Sequence, residues 1–174
     1  MWKTKKSEIV HQNPWFTVTC DEIIRHNDME AEYYVVHTKP AVFIVPQDSD
    51  GSLFLIKQFR YPNKSISWEL PAGAIDTNEN SLEAGKRELL EETGLRADNW
   101  EWAGIMYLAP GLTNHQCQLY KATGLTQVKR DVQHDEAIIE CKNFSIEEIK
   151  QLIRNEEMTD GPTMAVLNKV ILSK

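Results

Sequence analysis

The sequence predicts an α/β sandwich with a mixed central sheet, preceded by a small β unit. Strand-like and helix-like patterns are mixed along the chain, turn residues separate neighbouring strands as in hairpins, and no regular strand–helix–strand repeat is present. A length of 174 residues suits one domain, or one domain with a small appendage. We therefore expect an N-terminal β unit at residues 1–38 and a main domain at residues 39–174.

The N-terminal unit is predicted to contain two or three strands. Phe16, Val18 and Cys20 alternate with polar residues, and the polar segment 26–28 suits a turn before another strand at residues 33–36. Two or three strands cannot bury both of their faces alone. This unit must therefore lie on the main domain or on another chain.

The main domain starts with an apolar run at residues 41–46, which indicates a buried strand. A turn at 48–51 separates it from a second apolar run at 53–59, and we expect the two runs to pair as a hairpin. Residues 60–62 end the second strand, and a loop is expected at residues 63–67.

A helix is encoded between Asn80 and Gly94. Asn80 can cap its start while Glu83 reaches back from the third position, which is a capping-box pattern. Gly94 stands where a helix closes through a left-handed residue. The helix should therefore run over residues 81–93.

This helix carries carboxylates along one edge. Glu88 and Glu92 are one turn apart, Glu91 lies three positions after Glu88, and Arg87 can reach Glu91. Hard oxygen ligands of this kind suit Mg²⁺ or Mn²⁺, which proteins hold with a few carboxylates and substrate phosphates. The pattern therefore predicts a metal site, the alternative being the solvated face of an ordinary amphipathic helix.

The rest of the chain is predicted to form three strands and two helices. We expect the strands at residues 102–107, 116–122 and 137–144. An acidic loop at 134–136 precedes the third strand. Ser145 and Glu148 form a second capping box, and Asp160, with Pro162 in the first turn, starts a terminal helix.

The composition argues against several functional classes. A net charge of −7 disfavours binding to the phosphate backbone of nucleic acids, which requires a basic surface. No apolar run approaches the roughly twenty residues needed to span a bilayer, and no hydrophobic segment follows the N-terminal lysines as in a signal peptide. The 3 scattered cysteines indicate reduced thiols. We expect a soluble, cytoplasmic protein that binds neither nucleic acid nor membranes.

The stretch from Gly73 to Leu95 resembles the Nudix box. It reads GAIDTNENSLEAGKRELLEETGL, and every defining position of that box is filled. The resemblance implies a Nudix-type α/β/α sandwich and a Mg²⁺-dependent hydrolase in which Mn²⁺ can replace Mg²⁺. Such an enzyme cleaves a nucleoside diphosphate linked to another moiety.

Beyond the box, the chain is similar to the ADP-ribose pyrophosphatase and nucleoside diphosphate sugar hydrolase branch of this family. The similarity rests on QFRYP (58–62), WELPAG (68–73), Pro110 and MTDGPTMAVL (158–167). This branch often has Glu at the position that His115 occupies here. The resemblance implies hydrolysis of ADP-ribose to AMP and ribose 5-phosphate. The alternatives are a broader hydrolase of ADP-, GDP- or UDP-sugars, or a non-catalytic module that senses a nucleotide.

The resemblance also implies roles for residues of the box. It assigns metal binding to the backbone carbonyl of Ala72 and to Glu88, Glu91 and Glu92. Glu91 and Glu92 belong to the catalytic group, in which Arg87 orients Glu91 by a charge-assisted bond.

The reaction is the attack of water on one phosphorus of a pyrophosphate. Bound cations lower the pKa of water, and a carboxylate completes its deprotonation. In this branch the base often lies on a loop after the box, so Glu136 is the leading candidate, with Asp135 and Glu140 as rivals.

Residues outside the box are candidates for binding the substrate. Arg60 suits a phosphate because a guanidinium fork matches phosphate oxygens, the alternative being a surface ion pair. For His115 a contact with sugar or phosphate competes with a role in capping its loop. The aromatic candidates for stacking on a base, each with packing as the alternative, are Trp15, Phe16, Tyr34 and Trp68. The resemblance further implies a homodimer that exchanges the N-terminal unit, with a small molecule as ligand.

Overall fold

The computed structural model describes residues 1–128 and 137–172. Its strands are β1 (Lys3–Gln12), β2 (Phe16–Ile24), β3 (Glu30–Thr38), β4 (Ala41–Pro46), β5 (Leu53–Arg60), β6 (Ser65–Glu69), β7 (Ala72–Ala74), β8 (Leu95–Tyr107), β9 (Gln116–Gln127) and β10 (Ile138–Phe144). Its helices are α1 (Ser81–Thr93), α2 (Ile146–Arg154) and α3 (Gly161–Leu167), and a π-helical segment at Asn168–Leu172 follows α3 directly.

The chain divides into two compact units. The first contains Met1–Pro40 and Met106–Cys117, and the second contains Ala41–Ile105 and the described residues from Gln118 onward. The strands form a three-stranded sheet β1-β2-β3, a three-stranded sheet β10-β5-β6 and a four-stranded sheet β7-β4-β9-β8. This mixed α/β architecture with an N-terminal sheet confirms the predicted fold class.

The N-terminal sheet is antiparallel throughout. The Asn13 side chain accepts hydrogen bonds from the amides of Trp15 and Phe16, both at 2.9 Å, and so shapes the turn between β1 and β2. A turn in which Asp28 has a φ of 58° joins β2 to β3. The expected strands are confirmed, and β1 precedes them as an exposed strand whose polar residues carried no clear strand signal.

The core of the second unit lies where α1 packs on β4. Every residue of β4 is buried, as its apolar run predicts. Gly85 leaves room for the Trp100 ring, because a Cβ there would lie only 3.2 Å from that ring, whereas 3.5 Å to Val42 on β4 is an ordinary contact. The buried members of this core are Val42, Ile44, Ala84, Leu89, Leu95 and Ala122.

The expected hairpin between residues 41–46 and 53–59 is wrong. The turn forms, with Asp48 N donating to Ser52 O at 2.9 Å, but only Gln47 and Leu53 are bridged across it. β4 lies between β7 and β9, so both of its edges are already paired and none is left for β5. β5 therefore joins the other sheet of the unit.

β5 pairs instead with β6, which occupies most of the segment expected to be a loop. Arg60 lies opposite Ser65, and Ile56 lies opposite Glu69. Lys64 takes a φ of 51° in the tight connection between the strands. Strands β8 and β9 are also longer than predicted, because their polar ends continue the ladders beyond the apolar pattern.

The helix boundaries agree closely with the predictions. Asn80 and Glu83 form the capping box of α1, and Gly94 closes the helix at a φ of 70°. Ser145 caps α2 in the same way, and Asp160 caps α3. Within the described ranges no helix combines the length and apolar character that a bilayer crossing requires.

Candidate active site

The strand ahead of α1 lies against the carboxylate edge of that helix. The Ala72 amide donates a hydrogen bond to Glu92 Oε2 at 2.9 Å. A Cβ at Gly73 would overlap the carboxylate of Glu88, so only glycine leaves room for that side chain. Glu88 and Glu92 are 5% and 3% exposed. Two nearly buried carboxylates are thus held beside one strand.

Arg87 connects the carboxylates of this edge. Its guanidinium donates two bonds to Glu79, both at 3.0 Å, one to Glu88 at 2.6 Å, one to Glu91 at 3.1 Å and one to the Ala74 carbonyl at 3.0 Å. The bonds to Glu79 are the largest of the effects that raise the pKa of the guanidinium well above its usual range. The same side-chain bonds lower the pKa of Glu79. The expected contact between Arg87 and Glu91 is present.

The donor set fits a hard divalent cation in its chemistry. Glu88, Glu91 and Glu92 supply carboxylate oxygens, and burial of such charges requires compensating positive charge. Among the described residues, no group of three or more His, Cys, Asp or Glu side chains is arranged as a metal site. Protein donors occupy this edge instead, since Arg87 lies against Glu88 and Glu91 and the Ala72 amide holds Glu92. The metal ligands therefore remain a prediction.

Arg60 forms a fork with Glu69. Its Nε lies 3.1 Å and its Nη2 lies 2.6 Å from Glu69 Oε2, and the Glu69 side chain is 3% exposed. Burial lowers the pKa of the guanidinium, but the bonds to Glu69 outweigh this effect and the pKa is raised. Burial raises the pKa of Glu69. The bonds and charge of the guanidinium lower it, but burial has the larger effect and the pKa stays raised. The negative charges of Asp160 and Glu92 also raise the pKa of Arg60. The effect of Glu92 shows that Arg60 lies within the electrostatic field of the carboxylate edge.

The segment after Glu69 is fixed by the C-terminal part of the chain. The Leu70 amide donates to Thr163 Oγ1 at 3.0 Å, and the Trp68 amide donates to the Glu157 carbonyl at 2.9 Å. A hydrogen bond thus joins the motifs WELPAG and MTDGPTMAVL. Neither Glu69 nor Thr163 was among the predicted site residues, although both motifs were recognised.

Trp68 is a core residue, which corrects its proposed stacking role. Its side chain is 4% exposed, and its ring packs edge-on against Phe144 with 4.6 Å between centroids. The Lys57 ammonium lies 5.4 Å from the ring centroid. A ring enclosed in this way has no open face for a base, because its position on β6 points it into the core.

The other aromatic candidates belong to the first unit and are exposed. Trp15 is 78% exposed, and Tyr34 and the less exposed Phe16 also reach the surface. The Phe16 ring contacts His11 at 5.5 Å between centroids. Tyr34 donates a long bond to Glu32. These rings are accessible, as a stacking role requires, and that role stays a prediction.

The loop that contains Pro110 and leads to His115 is held by β3 within the first unit. The Tyr33 hydroxyl donates to the Gly111 carbonyl at 2.6 Å, and Ala109 takes a φ of 46°. Pro110 is exposed. Burial lowers the pKa of His115, and its Nε2 is buried without a hydrogen-bond partner in the described part of the chain. A neutral imidazole nitrogen is thus placed where the branch often has a carboxylate.

The candidates for the general base are placed only in part. Glu140 is exposed on β10, opposite Lys57. Asp135 and Glu136 lie outside the described residues.

The fold and the carboxylate helix define a class of hydrolase, and comparison with known proteins places the chain within it. The model of the NUDIX domain matches residues 37–166, and the model of the nucleoside diphosphate sugar hydrolase N-terminal domain matches residues 2–36. The chain belongs to the Nudix family and is a Nudix hydrolase.

Individual relatives are similar to most of the chain. The chain is 30% identical to the ADP-ribose pyrophosphatase of Mycobacterium tuberculosis, over 94% of this chain and 80% of the relative. It is 25% identical to the ADP-ribose pyrophosphatase of Bacillus subtilis, over 92% and 88%. The crystal structure of an ADP compounds hydrolase superposes with a TM-score of 0.86 at 23% identity, covering 97% of this chain and 91% of that one. The last similarity concerns the fold alone.

Proposed function

We propose that this protein hydrolyses the pyrophosphate bond of ADP-ribose to give AMP and ribose 5-phosphate. The observation that carries the proposal is the carboxylate edge of α1, where Glu88, Glu91 and Glu92 are held in place by Arg87 and the strand ahead of the helix. The names of the two relatives described above support ADP-ribose as the substrate.

The proposed metal ligands are the Ala72 carbonyl and the carboxylates of Glu88, Glu91 and Glu92. When bound, Mg²⁺, or Mn²⁺ in its place, supplies positive charge for the phosphate oxygens and makes water more acidic. Arg87 keeps Glu88 and Glu91 oriented, and the Ala72 amide keeps Glu92 oriented, before substrate arrives.

Other residues of the chain act on the substrate and on water. Arg60, which Glu69 holds in place, donates hydrogen bonds to a phosphate oxygen of the substrate. A carboxylate from Glu136, or from its rivals Asp135 and Glu140, accepts a proton from water. The water oxygen bonds to phosphorus while the bridging P–O bond breaks, and the leaving phosphate keeps the bond electrons.

We further propose that two chains form a homodimer in which the N-terminal sheet contributes to substrate binding. Trp15, Phe16 and Tyr34 are exposed aromatic side chains of that sheet and suit stacking on a base. Pro110 and His115 would contact the sugar–phosphate part. The net charge of −7 supports a small-molecule ligand rather than a nucleic acid, and we place the protein in the cytoplasm.

A broader hydrolase of nucleoside diphosphate sugars is the second candidate. The match of residues 2–36 to the N-terminal domain of nucleoside diphosphate sugar hydrolases favours it. His115 points in the same direction, because it replaces the carboxylate common in the ADP-ribose branch.

Product release distinguishes these candidates. The purified chain is offered ADP-ribose, ADP-glucose, GDP-mannose and UDP-glucose, each with Mg²⁺ and with chelator. We expect Mg²⁺-dependent turnover with a strong preference for ADP-ribose. Comparable rates on several sugars would favour the second candidate, and binding without turnover would indicate a nucleotide-sensing module.

Glu91→Gln and Glu92→Gln test the site itself. Each change removes one charge with little change of shape, and we expect kcat to fall by about a thousandfold, as when a group acting on the transition state is lost. Glu147→Gln is the matched control, since Glu147 lies on α2 and pairs with Lys150 and Arg154. Full activity in both site variants would reject the assignment.

A further inference from the structure

A cleft of about 450 Å³ lies between α1 and the start of β8, within the second unit. Lys86, Arg87 and Arg96 contribute to its lining, which contains no acidic residue. The chain as a whole has 26 acidic and 19 basic residues. The cleft therefore has a charge opposite to that of the protein, which favours an anionic occupant.

The cleft faces away from the carboxylate edge of the helix. Lys86 stands two positions before Glu88, which is about 200° around a helix with 3.6 residues per turn. Lys86 and Leu90 are four positions apart and share the outer face. The cleft is thus separate from the proposed metal ligands, although Arg87 lines it as well.

Two of the three cations are available to a ligand. Arg87 is committed to Glu79, Glu88 and Glu91. Lys86 and Arg96 are exposed and form no ion pair within residues 1–128 and 137–172. A lysine and an arginine that line one cleft suit a phosphate group, which accepts bonds from both.

The apolar wall of the cleft is rigid. Trp100 donates from Nε1 to the Ala97 carbonyl at 3.2 Å, and its ring packs edge-on against Tyr120 with 6.1 Å between centroids. The indole ring also lies close to α1 at Gly85, where an added Cβ would be 3.2 Å from the ring. With Leu90, the half-buried indole forms an apolar wall beside the two cations. Such a surface suits a flat aromatic group.

We propose that this cleft is a second ligand site that binds a phosphorylated aromatic compound of the nucleotide class. Lys86 and Arg96 contact the phosphate, and the aromatic group lies against Trp100 and Leu90. The proposal rests on the cleft alone and does not depend on the substrate of the active site. Its occupant would also touch Arg87, the residue that orders the carboxylate edge.

Equilibrium binding of AMP to the full chain tests the proposal. Calorimetry is performed with chelator present, so that no metal supports phosphate binding by the carboxylates. We expect AMP to bind wild type, and adenosine and inorganic phosphate to bind at least tenfold more weakly, because each lacks one half of the recognised chemistry. In Lys86→Ala/Arg96→Ala the affinity for AMP should fall at least tenfold. Both side chains are exposed, so the variant should fold normally, as its thermal melt will check.

Two controls separate the cleft from other sites. Lys150→Ala removes an exposed helical lysine on α2 and should leave AMP binding unchanged. Arg60→Ala alters the proposed active site and should also leave it unchanged. The double variant should retain wild-type kcat/KM for hydrolysis. No binding of AMP at millimolar concentration, equal binding by the double variant, or loss of binding in Arg60→Ala would each overturn the proposal.

Discussion

Arg87 and Arg60 make two different kinds of ion cluster in the same unit. Arg87 donates to three carboxylates and one carbonyl, so that a single cation orders several acceptors. Arg60 makes a one-to-one fork with Glu69, whose side chain is almost completely buried. Arg87 has a fixed position because many groups hold it, whereas within residues 1–128 and 137–172 Arg60 depends on Glu69.

Because of this difference, the two arginines should respond differently when a contact is removed. Loss of one contact leaves Arg87 with several others, but it disturbs acceptors that are proposed to act together. Loss of Glu69 leaves Arg60 without the partner that holds its fork. Substitutions in the Arg87 cluster should therefore mainly lower activity. Substitutions in the Arg60–Glu69 pair should mainly lower substrate affinity and stability.

Gly73→Ala is the strongest test of the order around Arg87. The added Cβ would overlap the Glu88 carboxylate, which can swing aside because it is the end of a flexible side chain. We expect the fold to survive and kcat/KM to fall by about a hundredfold, the cost typical of a 1 Å misplacement in an active site. Steady-state hydrolysis and a thermal melt measure the two effects. Gly161→Ala is the control, since a Cβ there meets nothing within 4 Å.

Arg87→Lys and Arg60→Lys compare the two clusters directly. A lysine ammonium has three donors and cannot reproduce a planar fork with five. We expect Arg87→Lys to lower kcat by on the order of ten- to a hundredfold, as for residues that orient a site, and Arg60→Lys mainly to raise KM. The separate values of kcat and KM decide this. A fall in kcat of equal size in both variants would show that the two arginines do not differ in role.

Stability should distinguish the two members of the Arg60–Glu69 pair. Arg60→Ala leaves a buried carboxylate without its counter-charge, which costs about 2 kcal/mol here because the half-exposed arginine already admits water. Glu69→Gln removes the buried charge itself and should cost less. Denaturant unfolding of both variants and of the double variant gives the coupling energy. A larger loss in Glu69→Gln would contradict this account.

The sequence predicted one contact of Arg87, the bond to Glu91, and the other contacts of this arginine are also local. Its farthest acceptor, the Ala74 carbonyl, is 13 residues away, and helical spacing alone places Glu91 within reach. The caps of α1 follow from the same local rules. Residues that interact through one helix and the turn before it leave a pattern in the sequence.

The Arg60–Glu69 pair left no such pattern. The hairpin places Arg60 opposite Ser65 and Glu69 opposite Ile56, so the guanidinium reaches along the strands to a partner that is not directly across. The sequence favoured pairing of the two apolar runs 41–46 and 53–59, and only the sheet order shows that β4 is already paired on both edges. For the same reason the sequence left packing and stacking both open for Trp68, since its burial depends on which face of β6 meets the core.

The pH dependence of stability should distinguish Glu79, bonded to Arg87, from Glu69, bonded to Arg60, and this is the smallest of the expected effects. The hydrogen bonds from Arg87 hold the pKa of Glu79 below its ordinary value of 4.5. The unfolded chain therefore binds the proton first on acidification, and the stability from Glu79, complete above pH 4.5, is lost as the pH falls through its folded-state pKa. Glu79→Gln should then lose less stability in acid than wild type does.

Glu69 should show the opposite sign. Its burial raises its pKa above 4.5, so the folded chain binds the proton first and gains stability from this group as the pH falls. Glu69→Gln lacks that gain and should lose more stability in acid than wild type. Denaturation midpoints measured from neutral pH to below pH 4.5 give the three curves. If the two variants deviate from wild type in the same direction, the two arginines do not hold their carboxylates in different ways.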